Sequence, residues 1–420
     1  MRAKRICLGI SAQKRLLRLV RNMLKEKIKN VFIGVLIFAA VFAVLFCIAE
    51  IITRKVYKIS TEDFVAHVDN FGWQMKPNMD GTFQYRTIMS HVTTNSKGLR
   101  DKEYNYEKPE NTKRVLILGD SMMNALSVND DQTTDAVLEN YLNQHTTSTE
   151  VINSGIFGWG TAQEYSFLKL EGLKYEPDVV AMFFVINDIV ENYDIAGRKK
   201  CSALYYTLDE SGELVQHKVE ESKEELDQQK AESLKKGGTM SRFKLFLENS
   251  AFFTELKTRI SYVRPLQDAF VALGLRKEDK IIPSMIQVYH SSFNDDFPQH
   301  WALTEKLIRE AAKEAKNANA EFLLVQIPTL AVYDEEYLRA ALYASHNEDE
   351  LNNFDFGKVT KEFERIAASD DNIDFIDLTP KFEASKESTT FYPVDQHWNK
   401  KGHELAVEAI RDKILEYLTK

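Results

Sequence analysis

The sequence predicts an α/β domain built on a doubly wound parallel sheet, preceded by one membrane-spanning helix. Three observations predict it. Strand-like apolar runs and helix-periodic segments alternate five times along the chain. The strongest run, Asp178 to Ile186, is apolar on both faces and so belongs in the middle of a sheet covered on both sides. Nineteen residues from Val31 to Ala49 carry no charge, which is the length a helix needs to cross a hydrocarbon core.

The apolar run separates two basic clusters. Ten basic residues precede it (Arg2, Lys4, Arg5, Lys14, Arg15, Arg18, Arg21, Lys25, Lys27, Lys29), and Arg54, Lys55 and Lys58 follow. This asymmetry predicts a cytoplasmic segment over 1–30, a transmembrane helix over 31–52 and an extracytoplasmic remainder in the cell membrane. A cleaved signal peptide is the rival reading. Its basic region is shorter than thirty residues, and the bulky Phe46 stands where a small residue belongs, so a retained anchor is expected. Arg15 to Lys29 reads either as a basic amphipathic helix along the inner membrane surface or as a solvated charged face.

Residues 53–111 read as a lead-in, aromatic and turn-rich from about residue 60, with alternation in Thr82-Phe83-Gln84-Tyr85-Arg86. It is expected to be β-rich and to pack on the main domain. That domain is expected over 112–194 and 301–420. Its strands are Arg114 to Leu118, Val151-Ile152, Asp178 to Ile186, Phe322 to Val325 and Ile373 to Ile376. Its helices are Thr133 to Asn143, Gln163 to Leu173, Trp301 to Lys316, Lys358 to Ala368 and Glu404 to Tyr417. The interval 195–300 interrupts the alternation with a hairpin around Ser211-Gly212 and a charged helix over Glu220 to Lys236. Leaving a strand's C-terminal end, it is placed to form a cap over a site.

Composition narrows the function. Charged residues at 28% and hydrophobic ones at 44% exclude disorder. Cys7, Cys47 and Cys201 are too few and too scattered for a disulfide framework or a zinc site, and no metal or other cofactor is called for. Residues 1–58 hold 13 basic and 2 acidic residues, leaving 41 basic and 61 acidic ones beyond them. A surface that acidic excludes nucleic acid as a partner.

Four polar motifs follow strand ends: Gly119-Asp120-Ser121, Asn153-Ser-Gly155-Ile-Phe-Gly158, Asn187-Asp188 and Asp395-Gln-His397. In a doubly wound sheet all four reach the C-terminal edge, where ligands bind. A serine hydroxyl becomes a nucleophile when a histidine takes its proton and a carboxylate orients that histidine. An oxyanion needs donors already in place, which the Ser121 N–H, the Gly158 N–H and the Asn187 amide could supply.

With these motifs the chain resembles the SGNH (GDSL-type) hydrolases over about residues 112–418, the interval 195–300 apart. The resemblance implies a flavodoxin-like five-stranded sheet and ester hydrolysis or acyl transfer through Ser121, His397 and Asp395. Two positions depart from the family pattern. Val185 stands where a glycine usually precedes the block asparagine, and Val394 occupies the usual acid position, so that Asp395 is only two residues before His397. Asp374 and Asp377 on the fifth strand are the reserve acids. Trp159, Tyr392 and Trp398 flank the motifs and could stack on a sugar, although packing is the role expected of them; Asn399, Gly402 and His403 are expected to shape the turn before the last helix.

The resulting expectation is a membrane-anchored extracytoplasmic serine esterase or O-acyltransferase acting on acyl groups of a cell-envelope glycan. A lipid-type esterase and an inactive glycan-binding module are the alternatives.

Overall fold

In a computed structural model the described residues are 2–56, 64–68, 71–85, 88–192, 204–218, 284–345, 347–386, 389–392 and 396–420, with isolated positions between 250 and 282. They divide into two compact units, one of Met1–Lys58 with Met240–Thr258, the other of Ile59–Thr239 with Arg259–Lys420.

The first unit is dominated by helix α1, Arg2–Val56. Its stretch Lys25–Arg54 is long and apolar enough to cross a membrane, and its most apolar window is not buried. Within this unit, the Glu50 carboxylate accepts hydrogen bonds from Ser250 Oγ at 2.7 Å and from the Phe252 N–H at 3.0 Å. The Phe46 and Phe252 rings meet edge to face. Part of the expected insertion therefore clusters with the apolar helix.

The second unit begins with two antiparallel pairs, β1 (Val65–Val68) with β2 (Gly72–Met75) and β3 (Asp80–Tyr85) with β4 (Ile88–Thr93). Then come β5 (Lys113–Leu118), α2 (Ser121–Asn124), α3 (Thr134–Leu142), β6 (Thr149–Asn153), α4 (Thr161–Leu170), β7 (Val179–Phe184) and α5 (Asp188–Glu191). A hairpin of β8 (Leu204–Leu208) and β9 (Leu214–Lys218) follows. After it come α6 (Ser284–Gln287), α7 (Phe297–Asn317), β10 (Glu321–Gln326), α8 (Leu330–Tyr333), α9 (Glu335–Ala344), α10 (Lys358–Ser369), β11 (Asp374–Asp377), α11 (Thr379–Glu383) and α12 (Lys400–Thr419).

The five expected strands form one sheet in the order β11-β10-β7-β5-β6, every pair parallel. Read along the chain this is the flavodoxin-like order 2-1-3-4-5. Alternation along each strand splits the core in two. Leu116, Leu118, Val180, Met182 and Phe184 enter the layer containing α4, α7 and α10, whereas Val115, Ile117, Val179, Ala181 and Phe183 enter the layer containing α3 and α12. Burial on both faces is why β5 and β7 read as near-continuous apolar runs.

Three expectations shift. The helix expected over Gln163 to Leu173 runs instead over Thr161–Leu170, and a tighter turn over Gly172–Tyr175 takes its place beyond that. Glu171 closes the helix, its N–H donating to the Phe167 carbonyl at 2.8 Å. The main core resumes well before residue 301, because Val288, Tyr289, Phe293 and Phe297 are buried in it. The hairpin packs sideways on α4 and α7, with Tyr206 Oη 3.1 Å from Ser166 Oγ and Lys306 paired with Glu213 at 2.9 Å. The helix expected over Glu220 to Lys236 lies outside the described residues.

The start of α12 fastens the last loop. Asn399 Oδ1 accepts from the Lys401 and Gly402 N–H groups, capping the helix. A Cβ on Gly402 would stand 2.6 Å from the Thr390 carbonyl oxygen, so glycine is required by close approach. His403 is fully buried, its Nδ1 2.9 Å from Thr134 Oγ1 and its ring edge to face with Trp398. Burial, helped by the positive charges of Arg100 and His397, lowers the His403 pKa to about 3. The unfolded chain takes up that proton near pH 6.5 and the folded chain does not, so the stability from neutral His403 is present above about pH 6.5 and is lost as pH falls toward 3. The stability margin of the parent chain over His403→Gln should therefore narrow across that window in urea unfolding. A margin independent of pH would contradict it.

Candidate active site

The sheet topology brings the motif loops to one edge. β5 lies between β7 and β6, so the loops after all three strands are neighbours. Ser121 opens α2 immediately after β5, with Asp120 as its N-cap accepting from the Met122 N–H at 2.8 Å. Ser121 Oγ lies 2.8 Å from His397 Nε2, although the two residues are 276 positions apart. That is hydrogen-bond distance for a nucleophile and its base. Asp120 is buried, which raises its carboxyl pKa, while the nearby His397 charge opposes the rise.

The loop after β6 runs beside the loop that carries Ser121. Ser154 N–H donates to the Ile117 carbonyl and Ile156 N–H to that of Gly119. Gly158 has a left-handed φ of 73° in the turn closed by the Trp159 N–H and the Ile156 carbonyl. Asn187 follows β7 and opens α5; its Oδ1 is buried and has no hydrogen-bond partner among the described residues.

Asp395, with Pro393 and Val394, lies outside the described residues. The reserve acids have other partners. Asp374 contacts Tyr417 Oη and pairs with Lys413 at 3.0 Å. Asp377 Oδ1 accepts from the Thr379 N–H at 2.9 Å and its hydroxyl at 2.6 Å. Trp159 and Trp398 are buried, so packing accounts for both. Among the described residues no cluster of three or more His, Cys, Asp or Glu could hold a metal ion.

Residues to which the sequence alone assigned no role brace the site. Ser127 Oγ donates to the Trp398 carbonyl at 2.6 Å, tying the loop after the nucleophile to the residue after His397. Asn153 Nδ2 donates to the Met123 carbonyl at 2.9 Å and to Asp135 Oδ1 at 2.7 Å. Burial pushes Asp135 up to about 6. Arg100 is the largest brace. Its guanidinium donates to the carbonyls of Asn124, Ala125, Val128 and His91 and pairs with Asp130 at 2.9 Å, with 1% of the side chain exposed. Burial lowers its pKa, and Asp130 opposes that. No local pattern reveals such a residue, since an arginine ahead of an acidic turn reads as surface.

Residues 292–419, the stretch that carries His397, match the family model described as the SGNH hydrolase-like domain of the acetyltransferase AlgX. That stretch is similar to an SGNH hydrolase-like domain, and the Ser121, Gly158 and Asn187 motifs lie ahead of it. Solved structures similar to the chain include TesA, at 13% identity over 72% of this chain and 99% of that one, TM-score 0.35. Another is the acetyl xylan esterase AlAXEase, at 14% identity over 72% of this chain and 99% of that one, TM-score 0.35. A third is the psychrotrophic esterase EstA from Pseudoalteromonas sp., at 14% identity over 74% of this chain and 100% of that one, TM-score 0.34. No curated protein matches the chain.

Removing Arg100 would take a buried donor from four carbonyls, of which that of Ala125 keeps the Val128 N–H, and would leave Asp130 with Thr93 and His91 only among the described residues. Arg100→Leu should cost about 3 kcal/mol of stability, the scale for breaking one side of a buried ion pair. The urea midpoint of the full chain reads this directly, and a loss below about 1 kcal/mol would mean that other donors satisfy those carbonyls.

Proposed function

We propose that this chain is a membrane-anchored serine esterase or O-acyltransferase that works outside the cytoplasm on acyl groups of a cell-envelope glycan. The observation that carries the reading is the 2.8 Å approach of Ser121 Oγ to His397 Nε2 at the C-terminal edge of the sheet. Acyl transfer agrees with the acetyltransferase description of the family model over residues 292–419.

In this reading His397 Nε2 takes the Ser121 proton as Oγ attacks the ester carbonyl. Negative charge gathers on the carbonyl oxygen and is met by the Ser121 N–H, the Gly158 N–H and the Asn187 amide. His397 then returns its proton to the departing alcohol, leaving an acyl-Ser121 ester. Water resolves that ester in an esterase; a sugar hydroxyl resolves it in a transferase. Asp395, two residues before His397, holds the imidazole tautomer and stabilises its cation. The basic excess ahead of Val31 supports a cytoplasmic N-terminus and a site on the opposite side of the membrane.

Ser121→Ala should abolish covalent labelling by a fluorophosphonate probe and hydrolysis of p-nitrophenyl acetate, with an unchanged thermal transition. Labelling that survives in the folded variant would end the serine mechanism. Asp395→Asn should lower kcat by about 10⁴-fold, as for loss of the acid in a serine triad. A loss under tenfold would remove Asp395 from that role.

A further inference from the structure

A tryptophan of the lead-in reaches the glycine loop. Trp73, on β2, donates its indole Nε1–H to the Phe157 carbonyl at 2.9 Å. In return Trp159 donates its own Nε1–H to the Trp73 carbonyl at 2.9 Å. The Trp73 ring also covers Gly158, since a Cβ built there would stand 3.3 Å from Trp73 Cζ2.

The Phe157 carbonyl belongs to the same peptide unit as the Gly158 N–H. That peptide is trans, because the described chain contains no cis peptide bond, so its C=O and N–H point in opposite directions. It is also the middle peptide of the turn from Ile156 to Trp159, closed by a 3.1 Å hydrogen bond, with Gly158 at the third position and φ 73°. These are the features of a type II turn. Its counterpart, type I, differs by inversion of this middle peptide, and glycine tolerates either form at the third position. The turn alone therefore leaves the direction of the Gly158 N–H weakly determined. The Gly158 N–H has no hydrogen-bond partner among the described residues.

We propose that Trp73 is a positioning residue: by holding the Phe157 carbonyl it keeps the middle peptide in the type II sense and so keeps the Gly158 N–H directed for the oxyanion. This rests on the reading of Gly158 as an oxyanion donor. The hydrogen bond also polarises the peptide, which strengthens its N–H as a donor. The lead-in thus takes part in catalysis without touching the substrate.

The test removes one N–H and little else. In the full chain, Trp73 is replaced by benzothienylalanine, which keeps the ring shape but has no N–H, and by Trp73→Phe as a second variant. The same unnatural residue at position 159 removes the reciprocal bond and leaves the Phe157 carbonyl paired. Both Trp73 variants should lose about 10- to 100-fold in kcat on p-nitrophenyl acetate, below or within the range for losing a whole oxyanion donor, with KM within about twofold. Binding of a boronic acid that forms a tetrahedral adduct should weaken in parallel, and the variant at 159 should keep kcat within about threefold. Unchanged kcat in folded Trp73 variants would overturn the inference, as would equal losses at 73 and 159, which would mean general loosening. Absence of Ser121-dependent hydrolysis in the parent chain would instead overturn the underlying reading, and this inference with it.

Discussion

One hydrogen bond, between Ser121 Oγ and His397 Nε2, joins positions 276 residues apart, and much of the second unit serves to make it. Neither side chain can be placed by its own neighbours in sequence. Ser121 is held by the end of β5, a strand buried on both faces, and by Arg100, which gathers the carbonyls behind the nucleophile helix. His397 is held by the capped start of α12, the buried Trp398 and the Ser127 hydroxyl. Distance tolerance in such a pair is a few tenths of an ångström, so loosening either support reaches the pair.

The fold was legible because its strands are buried on both faces and its helices separate them cleanly. Asp178 to Ile186 could be nothing but a central strand, and β7 lies in the middle of the sheet. Ser121, Gly158, Asn187 and His397 were legible as strand-end polar residues, and their strands' order brings the first three loops side by side. What stayed hidden depends on contacts across long separations. Arg100 satisfies carbonyls up to 28 residues away, and Trp73 reaches a carbonyl 84 residues on. Neither leaves a periodic trace in sequence. The short helices α8 and α9 were equally hidden; Leu338 and Leu342 of α9 meet Ala331 of α8 in a small satellite core.

Most of the insertion, including the charged helix expected over Glu220 to Lys236, lies outside the described residues, so its described parts alone can be placed. It leaves the chain beside the candidate site, which suggested a cap. Its described hairpin is drawn to the outer surfaces of α4 and α7 by the Tyr206 and Glu213 contacts. Residues 240–258 group with the N-terminal apolar helix rather than with the sheet.

The tie from Ser127 to the Trp398 carbonyl spans 271 residues and closes near the end of a 420-residue chain. Contacts of such separation form late, because the entropy of closing the loop must be met before they contribute. A chain that has built β5, β6 and β7 but has not docked residues 396–420 has Ser121 without His397 beside it. On the proposed serine mechanism, reactivity would arrive only as that segment docks.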